Sequence, residues 1–202
     1  MTQPQEGIVS RHLNRRLSRP LSALLARTPV TPNQVSLASF AIALISLALF
    51  LFGFNIWAGL AAQSSSVVDG VDGELARRKG MATRFGGFFD AVLDRYADVA
   101  ILAGLTYWAF AFEDKVSSGF IGIVGLLAIV GALMVSYTRA RAEASLGVTY
   151  HGLAGSLASR DARLLLVMIG AVIGQGLVTL VVLALLTNGV VSWRLALART
   201  KS

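Results

Sequence analysis

Apolar residues in this chain fall in long unbroken runs. Val35 to Val68, Val116 to Thr138 and Leu164 to Trp193 contain no Asp, Glu, Lys or Arg. Runs of that length predict membrane-spanning helices, because about 20 apolar helical residues cross a hydrocarbon core of about 30 Å. Polar signals mark their ends. Thr31-Pro32-Asn33-Gln34 offers an N-cap Thr, Pro at the first helical position and Gln three residues after the cap, so a first span should run from there to about Phe52. Gly53-Phe54-Asn55 is the break. A second span runs from about Ile56 to Lys79-Gly80, a basic last turn with a Gly terminator. A third is expected from about Phe85 to Phe112, with Glu113-Asp114-Lys115 as an exposed turn, and a fourth from about Ser118 to Thr138.

Residues 161–197 are too long for one span and barely long enough for two, and charge decides between them. With the N-terminus inside, five crossings would put Arg194, Arg199 and Lys201 outside. Six crossings, with a tight turn at Gly174-Gln175-Gly176, leave only Lys115 of the eighteen Lys and Arg residues outside. Basic residues concentrate on the cytoplasmic side, so the pattern predicts six spans in the cytoplasmic membrane, with both termini inside.

Before the first span, GIVSRHLNRRLSRPLSALLAR spaces Ile8, Val9, Leu13, Leu17, Leu21, Leu24 and Leu25 helically against five arginines. This is the pattern of an amphipathic helix on an anionic lipid face, bent or split near Pro20, rather than of a secretory signal. The expected organisation is therefore all-α: a juxtamembrane segment over residues 1–30 and one six-helix membrane domain over 31–202. Mean hydropathy of +0.67 agrees. The net charge of +7 then reflects topology and lipid headgroups rather than nucleic acid. The absence of cysteine excludes disulfides, thiolate chemistry and Cys-bound zinc. His12 and His151 stand alone and suggest no catalytic part.

Against that apolar background, six of the eleven acidic residues crowd into DGVDGELARRKGMATRFGGFFDAVLDRYAD, residues 69–98. Asp69 and Asp72 are three apart at the end of span two; Asp90 and Asp94 are four apart at the start of span three. Each pair thus shares one helix face, and the short loop at about Gly80 to Arg84 makes the two helices antiparallel neighbours. All four carboxylates can converge just inside the membrane. A charge left unpaired there costs about 2.5–3.5 kcal/mol, so something positive must sit among them. Arg77, Arg78, Lys79 and Arg84 are possible partners. Oxygen ligands without His or Cys also suit a hard cation, Mg²⁺ or Mn²⁺, and two such ions form a clamp for phosphoryl transfer. Helix capping alone would need one Asp per helix, not two on a stripe. A cation- or proton-coupled transporter is the other reading of paired intramembrane carboxylates, but these cluster at one face and the other spans offer no acidic relay.

Asp69-x-x-Asp72-Gly73-x-x-Ala76-Arg77, then eight residues, then Gly86-x-x-x-Asp90-x-x-x-Asp94, resembles at every position the signature of the CDP-alcohol phosphotransferase family. The resemblance implies transfer of a substituted phosphate from a CDP-alcohol donor to the hydroxyl of a polar alcohol acceptor, with release of CMP. It further implies that Asp69, Asp72, Asp90 and Asp94 hold two Mg²⁺ or Mn²⁺ ions, with Asp94 the candidate catalytic base. Asp69, Gly73, Ala76, Arg77 and Gly86 would surround the nucleotide. Small residues at 73, 76 and 86 let backbone and ligand approach closely, and an Arg beside a diphosphate donates a planar fork. Asp98, one turn beyond the signature, would orient a ligand or bond a serine among Ser64, Ser65 and Ser66.

On the acceptor side, Arg139, Arg160, Arg163 and Arg194 lie on the face that holds the aspartates. Relatives that use inositol phosphate bind it with basic residues in comparable places, whereas positive-inside anchoring alone would also account for them. SRPLSALLARTPVTPNQVS, QSSSVVDGVDGELAR, DRYAD and SRDAR are similar to the branch making di-inositol phosphate phosphates from CDP-inositol. The donor alternatives are CDP-inositol and CDP-diacylglycerol. A homodimer is expected from the resemblance, and Gly170 and Gly174 form a GxxxG pair suited to close helix contact.

Overall fold

The structure, a computed structural model, describes residues 14–113, 116–148 and 156–199. Among the described residues it is all-helical, with seven helices: α1 (Arg15–Leu25), α2 (Pro32–Leu51), α3 (Asn55–Lys79), α4 (Arg84–Phe112), α5 (Ser118–Leu146), α6 (Arg160–Val172) and α7 (Gly176–Arg199). Ile8, Val9, Leu13, His12, Asp114, Lys115, His151 and Lys201 lie outside the described residues.

Local chemistry sets the boundaries. Thr31 and Gln34 close a reciprocal capping box around Pro32, the side chain of Gln34 accepting the Thr31 N–H at 2.9 Å. At the other end of the hairpin Gly80 turns left-handed (φ +63°), its N–H and that of Met81 folding back on Arg77 and Ala76. Thr83 then accepts the Gly86 N–H at 2.9 Å and opens α4. Four residues, Gly80 to Thr83, therefore suffice to reverse the chain between α3 and α4, as the short loop predicted.

Four details differ from expectation. The helix α1 runs unbroken through Pro20, so the missing N–H costs it one intrahelical bond without splitting it. Its buried face packs on α3: Leu21 and Leu25 sit against Val35, Val71 and Leu75, while Leu17 and Leu24 face outward. The helix α5 continues past Thr138 to Leu146, because no helix breaker intervenes before Gly147, which turns left-handed. Glu113 is buried rather than exposed. Its carboxylate accepts the N–H groups of Gly176 and Leu177, satisfying the start of α7. Lastly, α6 has 13 residues, about 20 Å of helix, short of the hydrocarbon thickness.

By length and composition α2, α5 and α7 are apolar enough to cross a membrane. They show Ile45, Leu126 and Leu185 to the outside and bury small or polar residues inward, among them Ala43, Ser46, Ala128, Ala132 and Thr187. Such an inverted surface belongs to a protein solvated by lipid. The core joins Phe50 of α2, Ile101 and Leu105 of α4, Ile121 of α5, Leu164 of α6 and Leu180 and Leu183 of α7. The helix α2 lies against α3 and α4, α6 against α3, and α5 against α7. The first residues of α6 thereby reach the polar ends of α3 and α4.

Candidate active site

The α3–α4 hairpin brings its two acidic stripes together. One carboxylate oxygen each from Asp69, Asp72 and Asp90 lies within 4.8 Å of the others. Asp72 is fixed by the Ser36 hydroxyl of α2, which donates to one oxygen, and by the Gly73 N–H, which donates to the other. One oxygen of Asp90 is buried and has no hydrogen-bond partner among the described residues. A buried carboxylate oxygen without a donor is costly unless a cation meets it. Three converging carboxylates, one with an orphaned oxygen and none with His or Cys nearby, fit a hard divalent cation.

Asp94, one turn further along α4, faces a different partner. Nη1 of Arg160 lies 2.8 Å from Asp69 and 3.0 Å from Asp94, and Arg95 stands 3.3 Å from the other oxygen of Asp94. Nε of Arg160 is 3.4 Å from Asp98, whose second oxygen is 2.5 Å from Nη2 of Arg163. The expected bond from Asp98 to a serine is not made. Asp98 is paired to arginines, and the serines serve elsewhere: Ser64 donates to the Leu60 carbonyl and Ser66 to Asp161. Arginine wins because a buried carboxylate is better neutralised by a charged, forked donor than by a hydroxyl.

Beside the carboxylates opens a pocket of about 190 Å³, at the ends of α2, α3 and α4. Gly73, Ala76, Arg77 and Gly86 all line it, with Asp72 and Asp90 as its polar wall. A side chain at Gly86 would press on Thr83 and Asn33, at 3.0 and 3.3 Å from its Cβ, and narrow the mouth.

The four arginines of the acceptor side separate. Arg160 lies among the aspartates. Arg163 is buried and donates to the Ala158 carbonyl at 2.6 Å as well as pairing with Asp98. Arg194, buried on α7, donates to the Val135 carbonyl and to Thr138 of α5. Arg139 is at the surface, 3.4 Å from Glu143.

Several residues of the site carried no signal in the sequence. Asn33 and Ser36 line the pocket from the first turns of α2, and Met81, Ala82 and Thr83 line it from the α3–α4 loop. A hydroxyl one turn after a capping box has no pattern to distinguish it. Buried Asn14 donates to Ser66 and to Asp161 and accepts from Gln63, which ties α1, α3 and α6 together behind the aspartates. Only contact order in space, not spacing in the chain, relates those four.

A family model described as CDP-alcohol phosphatidyltransferase matches residues 29–198. Among similar proteins, the bifunctional IPC transferase and DIPP synthase of Rubrobacter xylanophilus is 41% identical over 169 residues, 84% of this chain and 37% of that protein. The phosphatidylinositol phosphate synthase of Mycobacteroides abscessus is 36% identical over 171 residues, 84% of this chain and 74% of that protein. The chain thus spans little more than a third of the bifunctional relative. Among solved structures, Mycobacterium tuberculosis phosphatidylinositol phosphate synthase with CDP-DAG bound is similar at a TM-score of 0.74 and 29% identity, over 90% of this chain and 92% of that one. The same synthase in complex with manganese and citrate gives a TM-score of 0.74, over 89% of this chain and 87% of that one.

Proposed function

The chain belongs to the CDP-alcohol phosphatidyltransferase family, and on that premise we propose that it transfers a substituted phosphate from a CDP-alcohol to a hydroxyl of an inositol phosphate-like acceptor, releasing CMP. The observation that carries this reading is the convergence of Asp69, Asp72 and Asp90 beside the pocket lined by Gly73, Ala76, Arg77 and Gly86. The donor is CDP-diacylglycerol or CDP-inositol, which share the CDP group that this pocket would take.

In this reading Asp69, Asp72, Asp90 and Asp94 hold two divalent cations. Such ions, Mg²⁺ or Mn²⁺, would neutralise the diphosphate and stabilise the charge that develops as its phosphoryl bond breaks. Arg77 donates its fork to the diphosphate, while Gly73 and Gly86 leave the backbone open to it. Asp94 accepts the proton of the acceptor hydroxyl as the new O–P bond forms and the bond to CMP breaks. Ser36 keeps Asp72 oriented throughout. Arg160 reaches this centre from α6 and is the basic group best placed for an acceptor phosphate, with Arg139, Arg163 and Arg194 on the same side of the bundle.

The same proposal places six spans in the cytoplasmic membrane, with α6 and α7 forming a hairpin, α1 on the anionic lipid face, the site and both termini toward the cytoplasm, and two chains as a homodimer. Cysteine accessibility and cross-linking in sealed vesicles test that layout.

The deciding experiment is CMP release by the purified protein in detergent with Mg²⁺ or Mn²⁺, offering CDP-diacylglycerol or CDP-inositol, each with inositol 1-phosphate. Metal-dependent release with one donor supports the proposal and names the donor. Failure to release CMP with both, together with failure to bind CDP, would sink it.

A further inference from the structure

The carboxylates read as a two-ion centre already hold one cation, and it belongs to the protein. The guanidinium of Arg160 touches three of the five aspartates: Nη1 is shared between Asp69 and Asp94, and Nε faces Asp98. The side chain is only 10% exposed, so these contacts are shielded from water. The three carboxylates that gather as a cation site are Asp69, Asp72 and Asp90, without Asp94. One ion can settle there with little change. A second ion held through Asp94, the remaining carboxylate of the proposed set, would have to compete with Nη1, which lies 3.0 Å from Asp94 and 2.8 Å from Asp69.

Charge points the same way. Asp69, Asp94 and Asp98 face the guanidinium groups of Arg95, Arg160 and Arg163, while Asp72 and Asp90 make no such ion pair among the described residues. Asp161 also acts on Arg160, so Asp72, Asp90 and Asp161 leave three negative charges over, of which one divalent cation balances two. A second divalent ion would make the cluster positive unless Arg160 withdraws or an anionic ligand arrives with the ion, and a positive group about 3 Å from the ligand oxygens weakens binding in a site of low effective dielectric. We propose that Arg160 is a resident counter-cation that keeps the second divalent-cation position closed until it is displaced, so the two ions load in sequence rather than together. Asp98, paired with Arg163 at 2.5 Å, stands 3.4 Å from Nε and remains the counter-charge nearest Arg160 when Nη1 is displaced. The displaced fork is then free for an anion, which would couple cation loading to acceptor capture at one residue. By linkage the two affinities then rise together.

This inference rests on the proposed two-ion reading, and the test separates the two. The full chain, purified in detergent and free of nucleotide, is titrated with Mn²⁺ while free Mn²⁺ is followed by electron paramagnetic resonance. The wild type is expected to take one ion tightly and a second at least about tenfold more weakly. In R160Q the second ion binds at least about tenfold tighter than in the wild type. R160K keeps the buried charge, and with it the fold, but a single ammonium cannot span three carboxylates. Its second ion should bind about threefold tighter. Equal affinity for both ions in the wild type overturns the inference, as does an unchanged second ion in both variants. One Mn²⁺ at most in every form overturns the two-ion reading itself, and the inference with it.

Discussion

Nη2 of Arg163 lies 2.5 Å from the carboxylate of Asp98, and both side chains are almost wholly buried between α6 and α4. Breaking such a pair from one side leaves an uncompensated charge. Arg163→Leu should therefore lower stability by about 3 kcal/mol, the lower end for a buried pair, because Arg160 still faces Asp98. Adding Asp98→Asn should restore part of it. Thermal unfolding of both variants in detergent checks this, and strict additivity of the two changes would contradict the pairing.

Ser36 donates to Asp72 from a different helix and hydrogen-bonds no other aspartate of the cluster among the described residues. Ser36→Ala should leave the fold intact and raise the Mg²⁺ concentration for half-maximal turnover by about 10- to 100-fold, the usual cost of losing a group that orients a ligand. A metal titration of turnover gives the answer directly.

Asp94 and Asp98 sit one turn apart on α4 with different surroundings. Asp94→Asn should cut turnover by about 10²–10⁴-fold while CDP binding survives, since a general base is lost but the pocket residues remain. Asp98→Asn should reduce turnover less, acting through Arg160 and Arg163. Equal turnover for Asp94→Asn and the unmodified protein would remove Asp94 from the chemistry.

At the other end of the bundle the carboxylate of Glu113 accepts the N–H groups of Gly176 and Leu177 at the start of α7. Glu113→Ala should cost about 1–2 kcal/mol by orphaning two buried N–H groups, and Glu113→Gln, which keeps an acceptor, less. Unfolding in detergent distinguishes the pair.

Gly170 and Gly174 do different jobs despite their GxxxG spacing. A Cβ at Gly170 would fall 2.8 Å from Cβ of Thr179, so rotating the threonine cannot relieve the clash and α6 must shift from α7. Gly174 has open space around it but a left-handed backbone at φ +67°, which makes the α6–α7 turn. Gly170→Ala should cost about 1–3 kcal/mol through overpacking, and Gly174→Ala about 1 kcal/mol through backbone strain. Comparing the melting of both variants tests the division of labour.

The sequence alone determined the all-helical class, the starts of α2, α4 and α5, the Gly80 terminator and the carboxylate stripes, because each is a local matter. Hydrophobic run length, a capping box, a left-handed glycine and a spacing of three or four residues along a helix are all decided within about one or two turns. It also carried the family signature, whose pocket-facing members Gly73, Ala76, Arg77 and Gly86 sit at fixed intervals on two adjacent helices. What it did not contain is which distant group answers each buried charge. Asp98 could have met a serine one helix away or an arginine sixty-five residues on, and the arginine prevails because α6 packs its first turn against α3 and α4. Glu113 reads as a solvated turn until α7 brings two unpaired N–H groups to it. Arg160, Arg163 and Arg194 are alike in the sequence as basic residues at helix ends. Tertiary packing put one among the carboxylates, one against Asp98 and one on the carbonyl of Val135, since a buried charge takes its partner from whatever the fold places within about 3 Å.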